Sequence, residues 1–162
     1  MDAQQGETPQ WYAMKVFQNK TAPIEALFKT DNVRYFIPSS VISSLAFVHA
    51  SESYITNLQE SQYRNLWCYR DKGSKSPTPI PDREMEMFIF VVTAGANGLL
   101  FLGDDRPEYH VGNHVRVIDG PFKGAEGHIK RIKKDRRLIV SIHGVAAIAT
   151  SYIHPDFLEI ID

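Results

Sequence analysis

The residues best able to do chemistry in this sequence are six histidines and a single cysteine, Cys68. His110 and His114 are four residues apart, which places two metal ligands on one side of a helix, but Gly112 between them and the strand that follows disfavour a helix. Cys68 lies in an apolar, strand-like segment, where a buried and unreactive thiol is expected. No set of acid, base and nucleophile accompanies these residues. We therefore predict no metal site, no cofactor and no enzymatic activity.

A glycine-rich stretch contains Gly120, Gly124 and Gly127. It lacks the Gly-Lys-Ser/Thr ending of a phosphate-binding loop, and no helix is predicted after it. The stretch instead predicts a β-turn and a bulge, with structural roles for Gly120 and for Gly127, which we place at the bulge or turn.

A basic cluster follows, with a single anion, Asp135, among its cations. One interpretation is a solvated hairpin whose charges prevent an edge strand from pairing with other chains. The other is a patch that contacts a nucleic-acid backbone or an acidic protein surface. Aromatic residues for base stacking are absent from this stretch. The cations are Lys130, Arg131, Lys133, Lys134, Arg136 and Arg137.

The first hundred residues predict short strands interleaved with three helices, which is an α+β arrangement. Thr21 is predicted as the N-cap of the first helix, with Pro23 in its first turn. Ser51 or Ser53 is predicted to start the second helix, and Asp82 to cap the third. Trp11 and Tyr12 should lie on a central strand with their rings on opposite faces. The predicted strands cover residues 11–17, 33–37, 45–49, 66–69 and 99–102.

The last fifty residues predict a small β-barrel, because short strands alternate with turns and no helical periodicity is present. The charge also changes along the chain: residues 1–108 carry 10 basic and 13 acidic side chains, whereas residues 109–162 carry 8 and 6. The predicted strands cover residues 115–117, 128–132, 138–142, 146–153 and 158–161.

Composition restricts the class of protein further. With 43% hydrophobic and 23% charged residues among 162, the chain is globular rather than disordered. No run approaches the roughly 18 uncharged apolar residues of a membrane span, so no membrane association is predicted. One cysteine cannot form an internal disulfide, which favours the reducing cytoplasm.

Three stretches of this sequence resemble the NusG family of transcription factors. Residues 111–127 (VGNHVRVIDGPFKGAEG) look like a KOW motif, while residues 11–17 (WYAMKVF) and 79–84 (PIPDRE) resemble an NGN domain. The resemblance implies an NGN α/β sandwich with an antiparallel sheet and about three helices over residues 9–102. A linker over 103–110 and an SH3-like KOW β-barrel over 111–162 follow.

The resemblance also implies where partners bind. Ile42 and Leu45 match the family's pocket for the clamp helices of RNA polymerase, with Lys15 where some relatives have an aromatic residue, and Tyr12 is expected at the rim. Ile42 and Leu45 should therefore lie on an exposed apolar surface. His143 and Gly144 stand where NusG has Phe-Gly in its contact surface for the ribosomal protein NusE and for Rho. A histidine there has less apolar area and a titratable tip.

The function implied is that of a transcription elongation or antitermination factor, which binds RNA polymerase and suppresses pausing or termination. The sequence PIPDREME and the compact basic KOW segment are similar to those of the UpxY-type antiterminators of capsular polysaccharide operons. The polar rim of the NGN domain can contact nucleic acid in the elongation complex. The alternatives are housekeeping NusG, a ribosome-associated KOW protein, and an unrelated enzyme with an SH3-like appendage.

Overall fold

The computed structural model describes residues 7–95 and 97–161. Contacts divide the chain into two compact units, one ending at Asp82 and the other beginning at Arg83. Within these residues both units contain antiparallel sheets, and three α-helices occur beside them, which confirms the predicted α+β class.

The first unit is built on a four-stranded antiparallel sheet in the order β2-β3-β1-β4. The central position of β1 confirms the prediction for the strand that carries Trp11 and Tyr12, because β1 pairs with both β3 and β4. The strands are β1 (Gln10–Val16), β2 (Arg34–Phe36), β3 (Leu45–Ala50) and β4 (Leu66–Cys68).

Three helices begin close to the predicted signals: α1 (Thr21–Thr30), α2 (Glu52–Ser61) and α3 (Asp82–Ala94). Ser51 caps α2, since its hydroxyl accepts a hydrogen bond of 3.1 Å from the Tyr54 amide. Thr21 was expected as the cap of α1, but Lys20 occupies that position. The Thr21 hydroxyl instead donates to the Ser43 carbonyl, so it ties α1 to the segment before β3.

One face of this sheet packs against α1 and α2. Alternation along β1 and β3 sends Tyr12 and Val48 to this face, where Phe28 of α1 and Ile55 of α2 meet them. The same core includes Met14, Val16, Ile24, Val33, Ala46, Ala50, Leu58, Leu66 and Cys68.

The second unit contains a six-stranded antiparallel sheet in the order β10-β6-β7-β8-β9-β5. Five of its strands are those predicted for the KOW segment. A 3₁₀ turn over Pro107–His110 precedes β6, and another over Pro155–Phe157 precedes β10. The strands are β5 (Leu100–Gly103), β6 (His114–Val117), β7 (Glu126–Ile132), β8 (Asp135–Ile142), β9 (Ala146–Tyr152) and β10 (Leu158–Ile160).

The sixth strand, β5, was predicted as a strand but expected in the first domain. It pairs with β9, with Leu100 opposite Ala149 and Phe101 opposite Ile148. Leu100 and Leu102 pack against the core formed by Tyr109, Ile139, Ala147 and Ala149, and this burial explains the attachment. The predicted domain bounds are 9–102 for the NGN domain, 103–110 for the linker and 111–162 for the KOW domain, and they stay predictions. Contacts divide the chain between residues 82 and 83.

Among the described residues, no helix has the length and apolar character needed to cross a membrane.

Candidate partner-binding surfaces

The second face of the four-stranded sheet is rich in aromatic residues. Lys15 of β1 lies opposite Leu45 of β3 on one side and Trp67 of β4 on the other, so the three side chains share this face. Phe47, two residues after Leu45, belongs to the same face. Trp67 contacts Tyr69 edge to face, with ring centroids 4.9 Å apart. We call Lys15, Leu45, Phe47, Trp67 and Tyr69 the aromatic face.

Exposure differs across the aromatic face. Leu45 and Phe47 are buried, while Trp67 is 42% exposed and Lys15 is exposed. Tyr69 is half-buried. The accessible part is therefore the edge along β4, where a large apolar ring lies beside a cation.

Of three residues expected at or beside an exposed pocket, two are buried and one is half-buried. Leu45, the first residue of β3, is only 3% exposed, so the prediction that it lies on an exposed surface is wrong. Tyr12 is 1% exposed and belongs to the core with α1 and α2, so it does not form a rim. Ile42 is half-buried in the turn before β3, where its amide donates to the Pro38 carbonyl.

The roles of Trp67 and Tyr69 were not predicted from the sequence. The signal that could have found them is the two-residue period of β4: Leu66 and Cys68 are buried, which turns Trp67 to the other face.

Trp11 alternates with Tyr12 as predicted. The centroid of its ring lies 5.3 Å from that of His49, and the Arg34 guanidinium lies 5.1 Å from it.

A second candidate surface is the turn between β8 and β9, which holds His143 and Gly144. The His143 side chain is 82% exposed, and its amide donates a 2.9 Å hydrogen bond to Glu84. Gly144 has a φ of +76°, a conformation that glycine adopts without strain. Its amide donates to the Asp105 carboxylate at 3.1 Å. The turn thus presents an exposed imidazole on a fixed backbone.

Three side chains converge beside this turn. His110 Nε2 lies 2.8 Å from Asp105 Oδ1, and His143 Nδ1 lies 3.9 Å from Asp105 Oδ2. His110 also contacts the ring of His128, on which His114 stacks at 5.3 Å. The predicted absence of a metal site rested on the pair His110 and His114, whereas the structure brings His110 to Asp105 and His143.

The basic cluster forms the β7–β8 hairpin. Lys133 and Lys134 make its two-residue turn and are exposed, as predicted for this turn. Arg131 lies directly opposite Arg136, and both are exposed. We call Arg131, Lys133, Lys134 and Arg136 the basic tip. Four cations at one end of a hairpin can contact phosphates or carboxylates.

Arg137 does not belong to the basic tip, although it was predicted in the patch. Its side chain is only 14% exposed, and it donates to the carbonyls of Thr150 and Gly98 at 3.2 and 3.3 Å. The guanidinium thus satisfies backbone acceptors. Lys130, opposite Arg137, is half-buried and lies 4.0 Å from Glu108, so it is also turned away from the tip.

The two structural glycines have different roles. Gly120 has a φ of +83° in the loop after β6, which agrees with the predicted turn. Gly127 lies within β7 opposite Val115, so its predicted position at a bulge or turn is wrong. A side chain at Gly127 would overlap the carbonyl oxygen of Ile139, so close approach of β8 requires glycine there.

Cys68 is fully buried, as predicted for a structural thiol. Burial raises the pKa of its thiol from 9.0 to about 12, an effect that the nearby Arg70 guanidinium only partly opposes. The thiolate, which is the reactive form, is therefore disfavoured at neutral pH.

Comparison with known proteins assigns the fold. Residues 111–143 match the KOW motif family. The solved structure of Thermotoga maritima NusG superposes with a TM-score of 0.55 at 20% identity, covering 96% of this chain and 98% of that one. This chain has the fold of NusG.

A chain of the MjSpt4:Spt5 complex aligns over 94% of this chain and 97% of its own length, with 13% identity and a TM-score of 0.35. That TM-score adds nothing to the fold assignment. No curated protein sequence matches the chain. The NusG-like fold confirms the predicted succession of an NGN-type and a KOW-type part.

Proposed function

We propose that this protein is a transcription elongation factor that binds RNA polymerase. The observation that carries the proposal is the match to the NusG fold over 96% of the chain, with a KOW motif at residues 111–143. In this proposal the protein acts by binding alone, without bond chemistry.

The aromatic face is the surface we propose for docking on the clamp helices of the polymerase. Its accessible edge offers Trp67 next to Lys15, and tryptophan is one of the residue types that most often dominate binding energy. Leu45 and Phe47 behind them are buried and would support the surface rather than touch the partner. Ile42, which is half-buried, is a further candidate because the resemblance matches it to the family's pocket.

Suppression of pausing follows if the bound factor favours one polymerase state. A ligand shifts a conformational equilibrium only by the difference in its affinity for the two states. A protein that binds the elongating, closed-clamp state more tightly than the paused state would therefore shorten pauses, to an extent set by the ratio of its two affinities. The basic tip would add contacts to nucleic-acid phosphates in the same complex.

We further propose the finer assignment to the UpxY-type antiterminators that serve polysaccharide operons. This assignment is supported by the sequence PIPDREME at residues 79–86 and by the compact basic KOW segment. The turn with His143 and Gly144 would then contact the second partner, for which NusE and Rho are the candidates. Its exposed imidazole supports a contact that is more polar than the family's phenylalanine.

A binding assay with core RNA polymerase tests the docking surface. Trp67→Ala and Lys15→Glu are each expected to raise Kd at least about tenfold, because they alter the accessible edge. Tyr63→Ala is the matched control, since Tyr63 is 68% exposed but outside the sheet. If all three variants bound core polymerase with the affinity of the native protein, the aromatic face would not be the docking surface.

The alternatives predict a different partner. A ribosome-associated KOW protein would cosediment with ribosomes and would not bind core polymerase.

Pause lifetimes in single-round transcription distinguish an elongation factor from a protein that binds the polymerase without changing its activity. Unchanged lifetimes at saturating protein would contradict the elongation role.

A further inference from the structure

The side chains of Asp105, His110 and His143 form a compact donor set in the second unit. One potential ligand atom from each, a carboxylate oxygen and two imidazole nitrogens, lie within 4.8 Å of one another. His110 Nε2 lies 2.8 Å from Asp105 Oδ1, and His143 Nδ1 lies 3.9 Å from the other carboxylate oxygen, Oδ2. Metal–ligand bonds of about 2.0–2.1 Å in a tetrahedral site place ligand atoms about 3.3 Å apart, so small side-chain rotations within the 4.8 Å set would bring the three donors to one ion.

The carboxylate at the centre of this set is held by the fold. The Asp105 side chain is only 5% exposed, although it follows the turn after β5. One of its oxygens accepts the Gly144 amide, and this same oxygen faces His143. Asp105 is therefore a buried carboxylate directed at two imidazoles, with its orientation fixed by a backbone hydrogen bond.

The two histidines come from separate backbone elements. His110 is the last residue of the 3₁₀ turn over Pro107–His110, which is anchored by the buried ring of Tyr109. His143 lies in the β8–β9 turn, with its amide bonded to Glu84. The His110 ring is about two-fifths exposed, and the His143 ring is largely exposed. The outer side of the set is thus open to solvent.

We propose that Asp105, His110 and His143 form a binding site for a divalent transition metal of the Zn²⁺ class. Two imidazoles and a carboxylate are a donor set that suits Zn²⁺, Co²⁺ and Ni²⁺, whereas Mg²⁺ and Ca²⁺ prefer oxygen ligands alone. Three protein ligands with an open side leave the remaining position to water or to a partner's side chain.

Bound metal would link the segment after β5 to the β8–β9 turn. Asp105 and His143 are 38 positions apart in sequence, so the ion would close a long loop at the surface. Binding to the folded state alone would also raise the free energy of unfolding.

The test uses the full-length protein without a polyhistidine tag, stripped of metal by a chelator. Titration with Co²⁺ is expected to give a visible absorption band that saturates at one ion per chain, and Zn²⁺ is expected to displace it. His110→Gln and His143→Gln should each weaken Co²⁺ binding at least about tenfold, because loss of even an outer-shell partner of a metal ligand costs about 10–100-fold in affinity. Because His143 is largely exposed, we expect His143→Gln to leave the fold intact.

Matched controls separate this site from the other histidines. His154→Gln lies outside the set, and His114→Gln removes the imidazole that the helical spacing would have used; both should bind Co²⁺ like the native protein. Zn²⁺ should raise the Tm of the native protein and of both controls, but not that of His110→Gln.

Three results would overturn the proposal. They are the absence of saturable Co²⁺ binding, equal affinity of the native protein and the two ligand variants, and a loss of binding in His114→Gln that His143→Gln does not show. Each readout uses the purified protein and a metal ion alone, so it is independent of any polymerase or ribosome partner.

Discussion

Gly127 lies in β7 at a point where β8 passes so close that a Cβ atom would overlap the Ile139 carbonyl oxygen. Gly127→Ala should therefore force the two strands apart and lower the free energy of unfolding by about 3 kcal/mol. Urea denaturation of the second unit measures this loss.

Gly112→Ala is the control for this substitution. Gly112 has a φ of +94° and nothing within 4 Å of its added Cβ, so only backbone strain opposes alanine there. We expect a loss of about 1 kcal/mol. If Gly127→Ala cost no more than Gly112→Ala, the close approach of β8 would not be the reason for glycine in β7.

The Cys68 thiol gives a pH dependence with a definite sign. Its pKa is raised from 9.0 to about 12 in the folded state, so between these values the folded chain retains a proton that the unfolded chain has lost. Stability should therefore fall as pH rises from 9 towards 12, and the contribution is fully present below 9.

Urea midpoints at several alkaline pH values measure this dependence, and Cys68→Ala should fall less steeply than the native protein. The comparison is needed because burial also raises the pKa of Tyr12 and Tyr54, which are common to both proteins. Identical pH slopes would contradict the assignment to Cys68.

Residue-scale predictions from sequence succeeded where strand alternation decides the outcome and were wrong where tertiary neighbours decide it. Alternation placed Trp11 and Tyr12 on opposite faces, as the core shows. It could not reveal that Leu45 is buried or that Arg137 satisfies two backbone carbonyls. Both depend on residues distant in sequence.

At the scale of elements, the β7–β8 hairpin carries a conformational cost in its turn. Lys133 and Lys134 have φ angles of +53° and +76°, the pattern of a two-residue turn that favours Asn-Gly. Replacing the pair by Lys133→Asn and Lys134→Gly should stabilise the protein by about 1 kcal/mol, because asparagine and glycine adopt positive φ more easily. Thermal unfolding measures the gain.

The control for this exchange is the double variant Lys133→Gln and Lys134→Gln. It removes the same two charges from the basic tip without relieving the positive φ angles. The like-charged pair of Arg131 and Arg136 lies next to the turn, so loss of charge alone can stabilise the hairpin slightly. An equal gain in both double variants would attribute the effect to charge rather than to backbone conformation.

The strands were more predictable than their partners. Glycine, proline and charged turns delimit the strands of the second unit, and all five strands of the predicted KOW barrel occur. The pairing of β5 with β9 was not predicted, because local pattern identifies a strand but not the sheet that it joins. The donor set of Asp105, His110 and His143 was missed for the same reason, since it depends on how the β8–β9 turn meets the segment after β5.

At the scale of the whole molecule, the formal charge is only −1, yet its distribution is uneven. The net charge is negative in residues 1–108, where acidic groups are in excess, and positive in residues 109–162, where basic groups are in excess. A factor that docks on protein with one part and approaches nucleic acid with the other would use such a distribution. The proposed function is consistent with this division of charge.

The boundary between the two parts gives the last prediction. A fragment of residues 98–162 keeps β5, while a fragment of residues 111–162 matches the predicted KOW domain without it. In the shorter fragment β9 keeps β8 but loses its second partner strand, β5, and Ile139 loses the cover of Leu100 and Tyr109. The lost apolar burial is worth about 2 kcal/mol, or a Tm roughly 10 °C lower. Far-UV circular dichroism should show β structure in both fragments. Equal Tm values would place β5 outside the folding unit, and a strong helical signal from residues 111–162 would contradict the strand assignment itself.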